Sequence, residues 1–456
     1  MLENPSIRIF EFSPECQDEA RALKEHWPNG VDILIVDSYQ LDQKFETECR
    51  DWSKQIVVID DLADRQHDCD LIIDSSPIRQ AEEYSSLVPP GCKFLLGPAY
   101  ALLRTGFARC RPEAVIRRKA GGGIKRLLIN FGGTDLWNLT PMAIKAIAAS
   151  KLEVDVDVLI GSGVTSRQEI EATIAKELPA AKLHIGLSDP TSLMMSADVA
   201  IGTGGGATWE RCALGLPTIV VQTSANQSDV ISALNDREAI WFIGQQTDLS
   251  VGKILDMFTS IAQNPGDLEK ISDNASGICD GIGARRVAQY LMKPLAKDGG
   301  MITLRPISMA DSDFILDLQR EPEIRKFVQN PPLPEKEQHE RWVTDRIIDP
   351  KCSFNIIFHE NVRSGIVRLD LMESMRDEPM YCVTITTSPD KQGLGLGIIG
   401  IQLAHHLVPD AFISAEVYEE NDASKMMLYR SGYEDTKDGF FLQSPLPRPI
   451  TINSYK

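Results

Sequence analysis

Short apolar runs recur through the first half of the chain, and most are continuous rather than alternating. They read ILIVD (33–37), IVVID (56–60), LIID (71–74), RLLINF (126–131), VDVLIG (156–161), KLHIGL (182–187), VAIG (199–202), TIVVQ (218–222) and AIWFIG (239–244). A strand covered on both faces has no polar side to alternate with, so this pattern predicts parallel strands inside helix-covered sheets. The stretches between them carry helical spacing. In TPMAIKAIAAS, Thr140 is the expected N-cap and Pro141 the first helical position. Repeated strand–helix units point to doubly wound, Rossmann-like sheets. A break is expected near Arg111–Lys125, where RPEAVIRRKAGGGIK is basic and glycine-rich. It would separate a short, partial first domain (1–115) from a fuller second one (116–295).

The rhythm changes after MKPLAKDGG (292–300), which reads as an interdomain linker. ITLRPI opens a new strand, a helix follows from Ala310, and FNIIFHE and SGIVRLDLM look like antiparallel neighbours. MYCVTITTS then runs into KQGLGLG (391–397) and a long apolar helix, GIIGIQLAHHLV. An α+β domain over 300–456 is expected. A chain of 456 residues exceeds what one core supports, so several domains are anticipated in any case.

Charge then narrows the function. A net charge of −18 repels phosphate backbones, which argues against a general nucleic-acid or membrane-surface role. A phosphate ligand must be held locally, by backbone amides and helix N-termini. No apolar run approaches the roughly 18 residues of a membrane span, and MLENPSIRIFEFSPECQDEA has neither the basic start nor the apolar core of a signal peptide. The nine cysteines form no Cys-x-x-Cys pair and no spacing with histidine. That fits reduced thiols of a cytoplasmic protein and no metal site.

Two glycine loops carry the candidate chemistry. In VAIGTGGGATWERC a buried strand ends in glycines and a helix begins around Thr208. Free amides at such a turn favour an anion, and the C-terminal edge of a parallel sheet is where these folds take ligands. Glu210, in the first helical turn, is placed to accept hydrogen bonds from a ribose diol. A tight turn with a solvated Glu210 is the plainer reading. The loop lacks both the Lys-Ser/Thr of a nucleoside-triphosphatase and the GxGxxG of a first βα turn. The second loop, KQGLGLG, superficially suggests a dinucleotide fingerprint. Its spacing, Gln392-x-x-Gly395-x-Gly397, is different, and no acidic residue at a later strand end completes a βαβ unit.

VDILIVDSYQLDQKFE, IDDLADRQHDCDLIID, LLGPAYALLR, NFGGTDLWNLT and GGGATWERCALGLPTIVVQTSANQ together resemble the nucleotide-sugar hydrolase of pseudaminic acid biosynthesis. That family has a GT-B-like fold related to the glycosyltransferase that builds the peptidoglycan lipid precursor. The resemblance covers about Val31 to Tyr290. It implies that Gly205, Gly206, Thr208 and Glu210 hold UDP, that Gly132 and Gly133 lie near the diphosphate, that Asn226 lies in the cleft, and that Tyr39 lies near the sugar. The family's N-terminal Gly-His, whose imidazole is the presumed base, has no counterpart in this sequence. His67, in DRQHDCD, is read as a structural loop residue.

Gln392-x-x-Gly395-x-Gly397 in turn looks like the pyrophosphate loop of the GNAT acetyltransferase superfamily. VYEENDASKMMLYRSGYE strengthens the likeness. The resemblance implies that Gln392, Gly393, Leu394, Gly395, Leu396 and Gly397 close on the diphosphate of acetyl-CoA. It also implies that Asn421 bonds the cofactor arm and that Tyr429 protonates the departing thiolate. The family tyrosine stands four residues before the glycine. Here Leu428 holds that place and Tyr429 stands three before Gly432. The strand CVTITTS offers no glutamate base. His339 and Trp342, in EQHERW, recur in the branch acting on a 4-amino nucleotide sugar, which implies a place in the acceptor pocket. A helix with one buried indole reads equally well, and His405 and His406 read as structural.

Taken together, the two resemblances imply a bifunctional cytoplasmic enzyme of pseudaminic acid biosynthesis. It would acetylate the 4-amine of a UDP-linked 4-amino-4,6-dideoxy-N-acetylhexosamine and hydrolyse the diacetamido product to free sugar and UDP, with contacts to other enzymes of the pathway. The alternatives are an acetyltransferase carrying a non-hydrolytic UDP-sugar docking module, and a nucleotide-sugar sensor or scaffold without catalysis.

Overall fold

The computed structural model describes residues 19–327, 335–373, 378–437 and 439–446. The chain divides into two compact units, one running through Gly283 and the other starting at Ala284.

The first unit holds two parallel sheets. The smaller consists of β1 (Leu34–Asp37), β2 (Ile56–Ile59), β3 (Leu71–Asp74) and β4 (Lys93–Leu96), in that spatial order. The larger is made of β5 (Arg126–Asn130), β6 (Asp155–Ile160), β7 (Lys182–Ile185), β8 (Val199–Thr203), β9 (Thr218–Gln222) and β10 (Trp241–Gln245). Its order is β10-β9-β8-β5-β6-β7, with every pairing parallel. The doubly wound, Rossmann-type class expected from the sequence is the class observed. Its physical basis is visible in the core. Leu127, Ile129, Val158, Ile201 and Val221 pack into one hydrophobic cluster, while their neighbours Leu128, Leu159, Ala200 and Val220 pack into another on the opposite face. Both faces are buried, so continuous apolar runs are what these strands require.

Three local expectations change. β4, KFLL, was not anticipated, because its lysine and short length hide it in a loop-like context. The helix Leu139–Ser150 starts two residues before Pro141, and Thr140 is not its cap: the Asp135 carboxylate accepts from the amides of Leu139 (2.9 Å) and Thr140 (3.0 Å). A side chain upstream of the turn therefore satisfies the free amides that a cap would. The break expected at Arg111–Lys125 is mostly helix, running Thr105–Lys119. Two of its arginines, Arg111 and Arg118, are buried rather than solvated. Arg118 donates to the carbonyls of Leu214, Met194 and Ala197, and Arg111 to those of Ala213 and Cys279. Several of these carbonyls close the helices Thr191–Ser196 and Ala207–Ala213, where guanidinium groups are favoured. This helix thus belongs with the larger sheet, and the glycines at 121–123 follow it.

His67 lies in the irregular crossover between β2 and β3, buried, with Nδ1 2.7 Å from the equally buried Glu46 carboxylate. It fastens the crossover to the helix Gln43–Cys49.

The second unit is built on one mixed sheet: β11 (Ile302–Pro306), β12 (Cys352–His359), β13 (Val362–Met372), β14 (Met380–Thr387), β15 (Phe412–Glu416), β16 (Glu434–Lys437) and β17 (Phe440–Gln443). Its order is β11-β12-β13-β14-β15-β17-β16. Only β14 and β15 pair in parallel, and only over Met380–Cys382 against Phe412–Ser414. Beyond that rung the two strands part. The stretch expected to be a linker is instead a small hairpin of this unit. Leu295 bridges Met301, the Ala296 amide donates to the Gly300 carbonyl, and Asp298 meets His359 Nε2 at 3.1 Å. The helix before it, Gly283–Leu291, sends Gln289 Nε2 to the Leu403 carbonyl (2.7 Å). Polar residues along 292–300 look like a linker in sequence; the backbone pairing and the Asp298–His359 contact exist only in the fold.

Asp311 anchors the start of this unit. Burial alone would raise its pKa, but Arg305, Arg363 and Ser308 all bond to it and hold it at about 2. A depressed folded pKa means stability that is present above the unfolded value of 3.8 and lost as pH falls through about 2, worth roughly 2 kcal/mol. Native-state hydrogen exchange at the β11–β12 amides should therefore show Asp311→Asn less protected than wild type at pH 6. The gap should narrow toward pH 3.

Candidate functional site

Consider first the C-terminal edge of the larger sheet. β5, β6 and β7 wind one way and β8, β9 and β10 the other, so the order reverses between β5 and β8. A crevice at such a switch point is the usual ligand position in open α/β sheets. The turns that flank it are Gly132–Gly133 after β5 and Gly204–Gly206 after β8. In front of Gly132, Gly133 and Gly206 there is open space where side chains would stand. The structure therefore brings the predicted Gly132, Gly133, Gly205, Gly206, Thr208 and Glu210 to one edge.

Their roles there differ. Thr208 is buried and faces inward: its hydroxyl contacts the Thr203 carbonyl and the Arg211 guanidinium, which ties the turn to β8. Glu210 is largely buried, and burial pushes its carboxyl above the usual range, with Arg211 and Arg104 acting against that shift. Arg104 Nη1 lies 4.0 Å from Glu210. Asn226 is exposed on the turn after β9, where the Ser224 hydroxyl donates to its side-chain oxygen. Two further residues belong to this edge and were not picked out from the sequence. Gly161, directly after β6, packs so closely that an added Cβ would stand 1.9 Å from the Gly133 carbonyl. Trp137 reaches from the β5 turn across β8 to donate its indole N–H to the Thr223 carbonyl (3.0 Å) while staying 53% exposed. The glycine after VDVLI was a readable signal for the first; nothing in the sequence marked the second.

Tyr39 lies elsewhere, at the C-terminal edge of the smaller sheet. Its hydroxyl donates to Asp61 (3.2 Å), and desolvation with Asp61, Asp37 and Asp60 around it pushes its pKa up to about 12. Behind it Tyr84 is buried between Asp60 and Asp74, with hydroxyl distances of 2.8 and 2.9 Å. None of the unit's three histidines stands at a glycine turn. His26 ends the helix Glu19–His26, His67 is bound to Glu46, and His184 is bound to Asp157 (2.7 Å).

The second candidate lies where β14 and β15 part. Gln392–Gly395 forms the turn leading to the helix Leu396–Leu407, and Gly395 is its N-cap at φ +86°. Gly393 has φ +85°, and both are left-handed positions that glycine adopts without strain. Nothing stands in front of Gly393. Gly397 serves differently: an added Cβ would sit 2.5 Å from the Met427 sulfur, so glycine there lets the helix Asp422–Arg430 approach. The turn thus offers amides at the start of a twelve-residue helix, beside strand edges left open by the splay. Lys297, which the sequence reading placed in a linker, lies on this turn. Its amide donates to the Leu394 carbonyl (3.0 Å), and its side-chain carbons pass within 4.0 Å of the Cβ position at Gly395.

Asn421 caps the helix Asp422–Arg430, its side-chain oxygen accepting from the Ser424 amide (3.1 Å), which leaves its amide nitrogen to donate elsewhere. Tyr429 points away from the glycine turn. Met427 faces the glycine turn, and two residues later a helix has rotated about 200°. The Tyr429 ring accordingly packs on Phe441, and its hydroxyl donates to Asp435 (3.1 Å) on β16, the edge strand two places beyond β15. That bond also raises its pKa. If Tyr429 were a general acid, Tyr429→Phe would cost about 100-fold or more in turnover; with its hydroxyl on Asp435 the expected change is within about 2-fold. His339 is only 3% exposed and contacts the Ser312 carbonyl through Nε2 (3.0 Å). Trp342 packs edge-on against Phe354 with Arg368 over its face. Both sit in the packing between a helix and the sheet. Among the described residues no group of three or more His, Cys, Asp or Glu could hold a metal ion, and no helix is long and apolar enough to cross a membrane.

No family model matches the chain. An uncharacterized protein of Methanocaldococcus jannaschii is 22% identical over 76% of this chain and 69% of its own length, a span longer than either unit. The spore coat polysaccharide biosynthesis protein SpsG of Bacillus subtilis is 25% identical over 37% of this chain. The UDP-2,4-diacetamido-2,4,6-trideoxy-beta-L-altropyranose hydrolase of Campylobacter jejuni is 26% identical over 33% of it. The chain spans only about half the length of these two, 47% and 53%. Among solved structures, MurG of Acinetobacter baumannii is similar over 60% of this chain and 76% of its own, with 14% identity and a TM-score of 0.44. The spermidine N-acetyltransferase of Vibrio cholerae in complex with CoA and spermine is similar over 32% of this chain and 89% of its own. It shows 19% identity and a TM-score of 0.28.

Proposed function

We propose that the second unit is an acetyl-CoA-dependent N-acetyltransferase acting on a nucleotide-linked amino sugar, and that the first unit binds the UDP-linked sugar. The splay of β14 from β15 beside the open glycine turn carries this reading. The residues present suit the cofactor. Amides of Gly393–Gly397 at the helix start would hold its diphosphate, with Lys297 adding charge in a protein of net −18. Asn421 would donate to its arm. Bound acetyl-CoA supplies an activated thioester; the protein's task is to align the acceptor amine with it and to accept the amine's proton. β14 carries no carboxylate for that task, so the proton passes to water or to another side chain.

In the first unit, the glycine turns at the switch point would hold the UDP diphosphate, and Glu210 would accept from the ribose. The finer reading places both activities in pseudaminic acid biosynthesis: acetylation of a UDP-4-amino-4,6-dideoxy-N-acetylhexosamine, then hydrolysis of the product. A second reading keeps the first unit as a docking module without hydrolysis. It is favoured by the pairing of His67 with Glu46 and of His184 with Asp157, which holds both imidazoles within the fold. The full chain incubated with acetyl-CoA and the UDP-amino sugar decides. Release of CoA together with UDP supports the bifunctional enzyme, and CoA without UDP the docking module. Release of neither overturns both.

A further inference from the structure

Outside both candidate sites, two thiols meet in the smaller sheet. Cys69 precedes β3 and Cys92 precedes β4, and these strands are parallel neighbours paired from Leu71 with Lys93. The sulfurs stand 3.7 Å apart, at van der Waals contact and without a bond between them. Their surroundings are unequal. Cys69 is 1% exposed inside the sheet's hydrophobic cluster, whereas Cys92 is only partly buried. The charges facing them are Arg50, which bonds Asp68 and Asp70, together with Glu46 from the neighbouring helix.

We infer that Cys69 and Cys92 form an oxidisable dithiol, a modification site for peroxides in which Cys92 is the attacked thiol and Cys69 resolves it. Access and contact set the order: of the two, Cys92 is the more open to a reagent, and Cys69 is the thiol in contact with its sulfur. Hydrogen bonding supports this direction. The contact with Cys69 lowers the Cys92 pKa against burial and Asp70, while Cys92 and burial push that of Cys69 up. The Cys92 thiolate attacks one peroxide oxygen, the O–O bond breaks, and the released hydroxide takes a proton to leave as water. Cys92 is then a sulfenic acid. The Cys69 sulfur attacks it, the S–O bond breaks, and hydroxide leaves with the Cys69 proton as a second water. Two thiols are oxidised by two electrons to one disulfide, and one peroxide is reduced to two waters. The link joins positions 23 residues apart and fastens β3 to β4. It leaves the strands' C-terminal edge, with Tyr39 and Asp61, untouched.

The test treats the full chain with hydrogen peroxide, quenches it with a thiol-alkylating reagent and maps peptides by mass. The expected result is a disulfide joining Cys69 to Cys92 before any other cysteine reacts, reversed by dithiothreitol. The oxidised chain should melt ~5 °C higher in a reducing-agent-free scan. In Cys69→Ser, Cys92 should accumulate sulfenic acid that a 1,3-dicarbonyl reagent traps. In Cys92→Ser, Cys69 should stay reduced. Cys69→Ala repeats the trapping in case serine unsettles the buried position. Oxidation that begins at another cysteine, a Cys69 that reacts equally in Cys92→Ser, or no disulfide at peroxide levels that consume Cys110 would each overturn the inference.

Discussion

Gly395→Trp is expected to weaken acetyl-CoA binding at least about 100-fold, the cost of losing two amide contacts to a charged diphosphate at about 1.5 kcal/mol or more each. Two effects combine at this position. The backbone is left-handed there, φ +86°, which a side chain resists by about 1–2 kcal/mol. The indole would also project into the mouth of the turn, beside the Lys297 side chain. Calorimetric titration with CoA reads the result directly. A melting scan separates lost binding from lost folding, since a local turn change should move the midpoint by only a few degrees. If Gly395→Trp binds CoA as wild type does, the cofactor does not sit on this turn. UDP binding should be unchanged in the variant, because the two candidate sites lie in separate compact units.

The reverse experiment is Glu210→Gln, expected to raise the dissociation constant for UDP by about 10- to 100-fold, since a hydrogen bond to a charged group is worth about 1.5–3 kcal/mol. The substitution keeps the shape of the side chain and removes the charge. It is therefore more informative than alanine at a position packed beside Arg211 and Arg104. The pH dependence follows from the same group. Burial raises the Glu210 pKa, so the acceptor form is lost as pH falls. The loss begins at a higher pH than for an exposed carboxylate. Wild-type UDP affinity should decline on acidification over that range, and Glu210→Gln should show no such decline. Equal affinities for UDP in the two proteins at neutral pH would remove Glu210 from the nucleotide site.

Much of the first unit was legible because burial on two faces leaves a direct mark on the chain. VVI in β2 and LII in β3 can only be continuous apolar runs, and each was read as a strand. KFLL carried a weaker mark and escaped. Charge was the least reliable guide to environment. Arg111 and Arg118 look solvated in RPEAVIRRKAGGGIK, yet they lie buried against helix-end carbonyls about 80–100 residues away in sequence. The glycine turns were legible because free amides at a strand–helix junction need small residues. The direction of a helical side chain was not, and Tyr429 shows why. One residue of offset turns a side chain by about 100°, which here separates the glycine turn from the outer edge at Asp435.

By itself the amino-acid sequence determined the alternation of strands and helices, the change of rhythm into an α+β unit, and the two glycine turns at strand–helix junctions. These depend on local spacing and on which faces must be buried. Only the tertiary structure decided that β14 and β15 part after three paired residues, that Gly132–Gly133 and Gly204–Gly206 flank one switch point, and that Lys297 lies on the second turn. Only it brought the Cys69 and Cys92 sulfurs into contact. Each of these joins segments far apart in the chain. Their distance is set by packing of the whole unit, which no local pattern encodes.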